Sequence, residues 1–169
     1  MPPDFDKNRP PEKGVIYLTL SHKQAITFMA QPVYPCLWFD GQAKDAAKFY
    51  CSIFKQSKIL SEHPIVVMFE LNGGKFMALN GGPQHKPTHA TSFVINCDTQ
   101  GEIDHYWNAL SGQGGQEDDC GWVRDKYGFS WQIVPSILGD LMAEPVRAQR
   151  VMSELLKMKK LDIARLQNA

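Results

Sequence analysis

The stretch TSFVINCDTQGEIDHYWNALSGQGGQEDDCGWVRDKYGFSWQIVP, residues 91–135, decides the fold. Residues 91–97 are β-rich and apolar and read as a strand. Asp98 or Thr99 then caps a helix whose Ile103, Tyr106, Trp107 and Leu110 fall on one face, and Gly112, Gly114 and Gly115 end it. Residues 120–124 read as a second strand, 125–128 as a turn and 130–134 as the return strand, closed by Pro135. The unit is a strand, a helix and then paired strands.

Upstream the same order occurs once more. Residues 34–39 (YPCLWF) read as a strand. Asp40 is the expected cap of an amphipathic helix carrying Ala43, Ala46, Ala47, Tyr50, Ile53 and Phe54 at spacings of three and four. Residues 65–71 and 75–80 are strands joined by the hairpin signal Asn72-Gly73-Gly74, and Asn80-Gly81-Gly82-Pro83 breaks the chain. The caps Asp40 and Asp98 are 58 residues apart, the helix faces at Ala43 and Ile103 are 60 apart, and the turn residues Gly74 and Gly128 are 54 apart. Landmarks in one order at a nearly constant offset indicate internal duplication, with modules at about 33–83 and 88–135.

Residues 136–169 read as helical. Ile137, Leu138, Leu141 and Met142 form a short face; Pro145 suits a first turn; Ala148, Val151, Met152, Leu155 and Leu156 form a longer face. Residues 1–32 read as an N-terminal extension, flexible over the first 14 residues with their four prolines and six charges, with a candidate strand at 15–20 (VIYLTL). The start lacks the basic residues and apolar stretch of a signal peptide, which suggests a cytoplasmic protein.

The 169 residues carry 18 basic and 18 acidic side chains, 43% hydrophobic residues and 11% aromatics. This balance supplies no basic footprint for nucleic acid and no pull toward an anionic membrane, and no apolar run approaches the ~20 residues of a membrane span. Cys36, Cys51, Cys97 and Cys120 form no CxxC pair and read as free thiols.

Five blocks, residues 37–54 (LWFDGQAKDAAKFYCSIF), 76–83 (FMALNGGP), 92–115, 120–135 (CGWVRDKYGFSWQIVP) and 149–166 (QRVMSELLKMKKLDIARL), together resemble the PhnB-like proteins. These are also described as 3-demethylubiquinone-9 3-methyltransferase-like domains, of the vicinal oxygen chelate superfamily with glyoxalases, bleomycin-resistance proteins and extradiol dioxygenases. The resemblance implies an α+β fold: two tandem βαβββ modules forming a half-barrel pair around a cavity, followed by C-terminal helices, usually in a homodimer. Against that pattern residues 59–65 look like a shortened connection, or one from which a loop is missing.

Metal-dependent members of the superfamily place His, Glu or Gln on the first and last strands of each module. Here residues 34–39 offer none, Met77 and Ala78 stand near the usual acid, Thr91 or Ser92 stands where His is expected, and Gln132 where Glu is expected. A Gln and a hydroxyl make a poor site for a divalent ion. The reading is therefore no metal and no cofactor. Neither Gly-rich turn, at 72–74 or 80–82, opens a helix that would hold a methyl donor.

Alternation makes Trp38, Trp122 and Phe93 candidate cavity walls, with Gln132, Asn80 and Cys120 as polar points. Such a lining suits a small, partly aromatic ligand. A filled barrel interior is the structural alternative. Cys120 near Arg124 and Lys126 is a conceivable nucleophile, though a structural thiol accounts for it more simply; no catalytic residue is assigned. The alternative function is a metal-dependent lyase, isomerase or dioxygenase.

Overall fold

A computed structural model describes residues 33–169, which form one unit. The strand expected at 15–20 lies outside the described residues. The first module runs β1 (Cys36–Phe39), α1 (Ala43–Ile53), β2 (Ser57–Glu62), β3 (Val66–Leu71) and β4 (Gly74–Asn80). The second runs β5 (Ser92–Cys97), α2 (Gln100–Ser111), β6 (Gln116–Glu117), β7 (Trp122–Arg124) and β8 (Ser130–Pro135). Then follow α3 (Leu138–Leu141), α4 (Pro145–Leu155) and α5 (Ile163–Gln167).

The duplication is explicit in the topology. The sheets have the orders β1-β4-β3-β2 and β5-β8-β7-β6, so strands one and four of each module are parallel neighbours and the rest are antiparallel. There are two tandem βαβββ modules and no closed barrel. In both sheets alternation buries one face under the helices. Leu37, Phe39, Val67, Phe69, Leu71 and Ala78 point inward from the first sheet, and Ile95, Cys97, Val123, Trp131 and Ile133 from the second. They join Ala46, Ala47, Tyr50, Ile103, Trp107 and Leu110 in one core. Each large side chain buried this way contributes roughly 1.5–3 kcal/mol.

Asp125 ties the modules together. Its carboxylate is buried and accepts from the Tyr50 hydroxyl on α1 (2.8 Å), Trp131 Nε1 on β8 (2.8 Å), and the N–H groups of Tyr127 (2.9 Å) and Phe129 (3.1 Å). His105 on α2 adds a second tie, its Nε2–H donating to the Ile53 carbonyl at 2.9 Å.

Four local expectations need correction. Asp40 does not cap α1. The N-cap is Gln42, whose side chain makes no capping bond, and the Ala43 N–H is taken by Asn80 Oδ1 from β4 at 2.9 Å. Residues 59–65 are not all connection: 59–62 belong to β2, an edge strand with a bulge between Ile59 and Ser61, and only 63–65 link it to β3. The hairpin return strand starts at Gly74, since Asn72 (φ 47°) and Gly73 (φ 82°) form the turn. The strand expected to begin at Cys120 begins at Trp122, because Cys120 (φ 61°) and Gly121 (φ 83°) are both left-handed. By contrast Thr99 caps α2 as read, in a capping box with Glu102, and Pro145 occupies the first turn of α4.

The C-terminal helices enclose a second apolar cluster of Leu141, Val151, Leu155, Met158, Leu161 and Leu166. It is held to the second module by Cys120 N–H to the Met158 carbonyl (2.8 Å), Gly121 N–H to the Lys159 carbonyl (2.7 Å), and Gln100, which donates to the Leu161 carbonyl and accepts from the Ile163 N–H. No helix among the described residues is long and apolar enough to cross a membrane.

Candidate functional site

A cleft of about 260 Å³ opens beside β1. It is lined by residues 35–38, the loop at 85–88, Thr91, Phe93 and Phe129. Trp38 is fixed in it. Its Nε1–H donates to the Gly82 carbonyl at 2.7 Å and its ring meets His85 edge-on, centroids 4.8 Å apart. Gly81 is what permits this pose, for a Cβ there would lie 2.1 Å from the indole. The signal in the sequence was Asn80-Gly81-Gly82-Pro83, read only as a chain break.

The six residues singled out from the sequence separate into four places. Trp38 and Phe93 come together in this cleft. Phe93 reaches it from the core side, packed on Phe76 (5.6 Å) and Trp131 (5.0 Å), rather than from the open sheet face that carries Ser92 and Val94. Trp122 and Gln132 are cross-strand partners on the open face of the second sheet, where Gln132 Nε2 donates to Ser92 Oγ at 2.8 Å. Asn80 is committed to structure, with Oδ1 on Ala43 and Nδ2 donating to the Pro64 carbonyl at 2.8 Å. Cys120 packs against the C-terminal cluster, where the expected β-strand face does not exist.

The cleft residues that sequence reasoning missed are His85, Lys86, Thr88 and Phe129. The first three lie in a loop whose composition resembles any solvated connection. Phe129 follows Gly128 in a turn whose neighbours gave no hint of a cleft.

Three thiols are electrostatically quiet. Burial raises Cys36 and Cys51, and pushes Cys97 up to about 12, so all three stay protonated near neutrality. Cys36 lines the cleft as a thiol. Burial also raises the Tyr50 hydroxyl, helped by the Asp125 charge, and raises Asp125 against the opposing pull of its own hydrogen bonds.

Among the described residues no three His, Cys, Asp or Glu side chains converge as metal ligands would. Gln132, the one donor from the expected set, is bonded to a serine hydroxyl. This donor set does not fit a divalent cation of the glyoxalase kind.

A family model described as 3-demethylubiquinone-9 3-methyltransferase matches residues 31–134. The chain belongs to that family. It is a PhnB-like chain. A PhnB protein from Bacillus cereus is 32% identical, with a TM-score of 0.56, over 63% of this chain and 100% of that one. Protein PA1353 from Pseudomonas aeruginosa (18% identity, TM-score 0.52, covering 63% and 98%) and protein SA1046 from S. aureus (14%, 0.50, 63% and 94%) share the fold. No curated protein matches the sequence. The family match ends at residue 134, so α3, α4 and α5 of this PhnB-like chain lie outside it.

Proposed function

We propose that this PhnB-like protein binds a small, partly aromatic molecule without a catalytic metal, and that it does so in the Trp38 cleft. The observation that carries the reading is that the locked indole of Trp38 shares a cleft of about 260 Å³ with Phe93 and Phe129. A preset aromatic wall binds a planar ring with little ordering cost. One or two fused rings match that volume. The donor set described above supports a receptor without a resident cation. Methyl transfer, named in the family's description, finds no support in the Gly-rich turns: one is the β3–β4 hairpin, and the other is filled by Trp38.

Tryptophan fluorescence titrated with one- and two-ring aromatics tests the reading. A saturable change is expected, and Trp38→Phe is expected to weaken binding about tenfold. Binding unchanged in Trp38→Phe, or the appearance of turnover only with nickel, zinc or iron, would defeat it in favour of the metal-dependent alternative. The protein is further proposed to act as a homodimer, an arrangement supported by apolar surface on the C-terminal helices.

A further inference from the structure

The chemistry around the Trp38 cleft narrows the ligand further, and this step rests on the aromatic reading just proposed. Among the described residues β1 is an edge strand whose one sheet partner is β4. The Pro35 and Phe39 carbonyls accept from Met77 and Gly81 at 3.0 Å each, on the β4 side. In a parallel ladder the main-chain groups alternate in direction. The N–H groups of Cys36 and Trp38 therefore point to the side away from β4, and both residues line the cleft. Neither N–H has an acceptor among the described residues.

Unpaired main-chain donors beside an apolar wall favour an acceptor, and the local charge decides its sign. Lys86 lines the cleft, has no carboxylate partner among the described residues, and no Asp or Glu lines the cleft with it. The contrast with the neighbouring cleft is direct. There Arg124 is held bidentately by Asp118 (2.9 and 3.3 Å) and Lys126 is bound to Gln113 and seated over the Phe49 ring. Those cations are already used, while that of Lys86 has no such partner among the described residues.

We infer that the Trp38 cleft selects an aromatic carboxylate or comparable aromatic anion, its ring between Trp38 and Phe93 and its anionic head on the free edge of β1, with Lys86 as counter-ion. A charged acceptor strengthens hydrogen bonds from main-chain donors. The edge strand thus gives direction, and the lysine gives sign.

The test uses a matched pair of probes, 2-naphthoate and 2-naphthamide, titrated into the full chain at low salt. Naphthoate is expected to bind at least tenfold more tightly. Lys86→Gln is expected to bring the two within about twofold, and 0.5 M salt to do much of the same. Main-chain amide resonances of Cys36 and Trp38 are expected to move on adding naphthoate and to move less with naphthamide. Equal affinity for the two probes overturns the charge inference and leaves the aromatic reading standing. Failure of both probes to bind overturns both. Tight naphthoate binding that moves amides elsewhere, on β5 for instance, overturns the assignment to this edge.

Discussion

At the scale of single residues, Asp125 is the most heavily bonded side chain among the described residues. Burial and hydrogen bonding oppose each other there, and burial prevails, raising its pKa. A carboxyl raised in the folded state keeps its proton to a higher pH than it does unfolded. Its contribution is most favourable below the unfolded value near ~3.9 and is lost as pH rises through the folded one. Asp125→Asn would keep an acceptor for Tyr127 and Phe129 but set an NH₂ group against the Trp131 N–H. Denaturant unfolding at pH 7 should show a loss of about 1–3 kcal/mol, the usual cost of a buried donor left unpaired. The gap to the native protein should widen as pH falls from 6 to 4. A gap that closes on acidification would mean that the hydrogen bonds outweigh burial and that the pKa is lowered.

At the scale of elements, the helix faces and central strands were legible from the chain, and their boundary chemistry was legible only in part. Ala43, Ala46, Ala47, Tyr50 and Ile53 lie at helical spacing and all are buried. Thr99 and Glu102 form their capping box within four residues, so the sequence displays both halves. The α1 cap comes from Asn80, 37 residues away, and no local pattern encodes it. β2 escaped for a different reason. Ser57–Glu62 is an edge strand with exposed positions at both faces, so it needs little apolar alternation. The same limits apply to the site. Alternation pointed to Trp38, whereas the places of Lys86 and of the outward-facing β1 donors depend on how a loop folds back on an edge. Asn80→Ala should therefore lower stability by about 1–2 kcal/mol and Asp40→Ala by less than about 0.5, measured by urea unfolding. Equal losses would return the cap to Asp40.

At the scale of the whole molecule, the segment after residue 134 is one of the two stretches of this PhnB-like chain that lie outside its family match. Its inner face is used: Leu161 is buried and Lys160 pairs with Asp104 at 2.6 Å on α2. Its outer face is uncovered among the described residues, with Met152 39% and Leu156 64% exposed beside Met142 and Ala148. Apolar side chains grouped on one helix face gain roughly 25 cal/mol per Å² when covered, and a two-fold pair of such helices covers the same patch on both copies. Light scattering at micromolar concentration should give about 38 kDa, twice the 19.1 kDa of the chain. The double variant Met152→Glu with Leu156→Glu should give about 19 kDa while leaving the circular dichroism spectrum and the Trp38 cleft unchanged, because these side chains lie outside both apolar clusters and outside the cleft. One further exposed apolar position to compare is Val94 on β5, an edge strand among the described residues. If Val94→Lys dissociates the dimer and the α4 double variant does not, the copies meet through their sheets, and the C-terminal helices serve the fold of one chain alone.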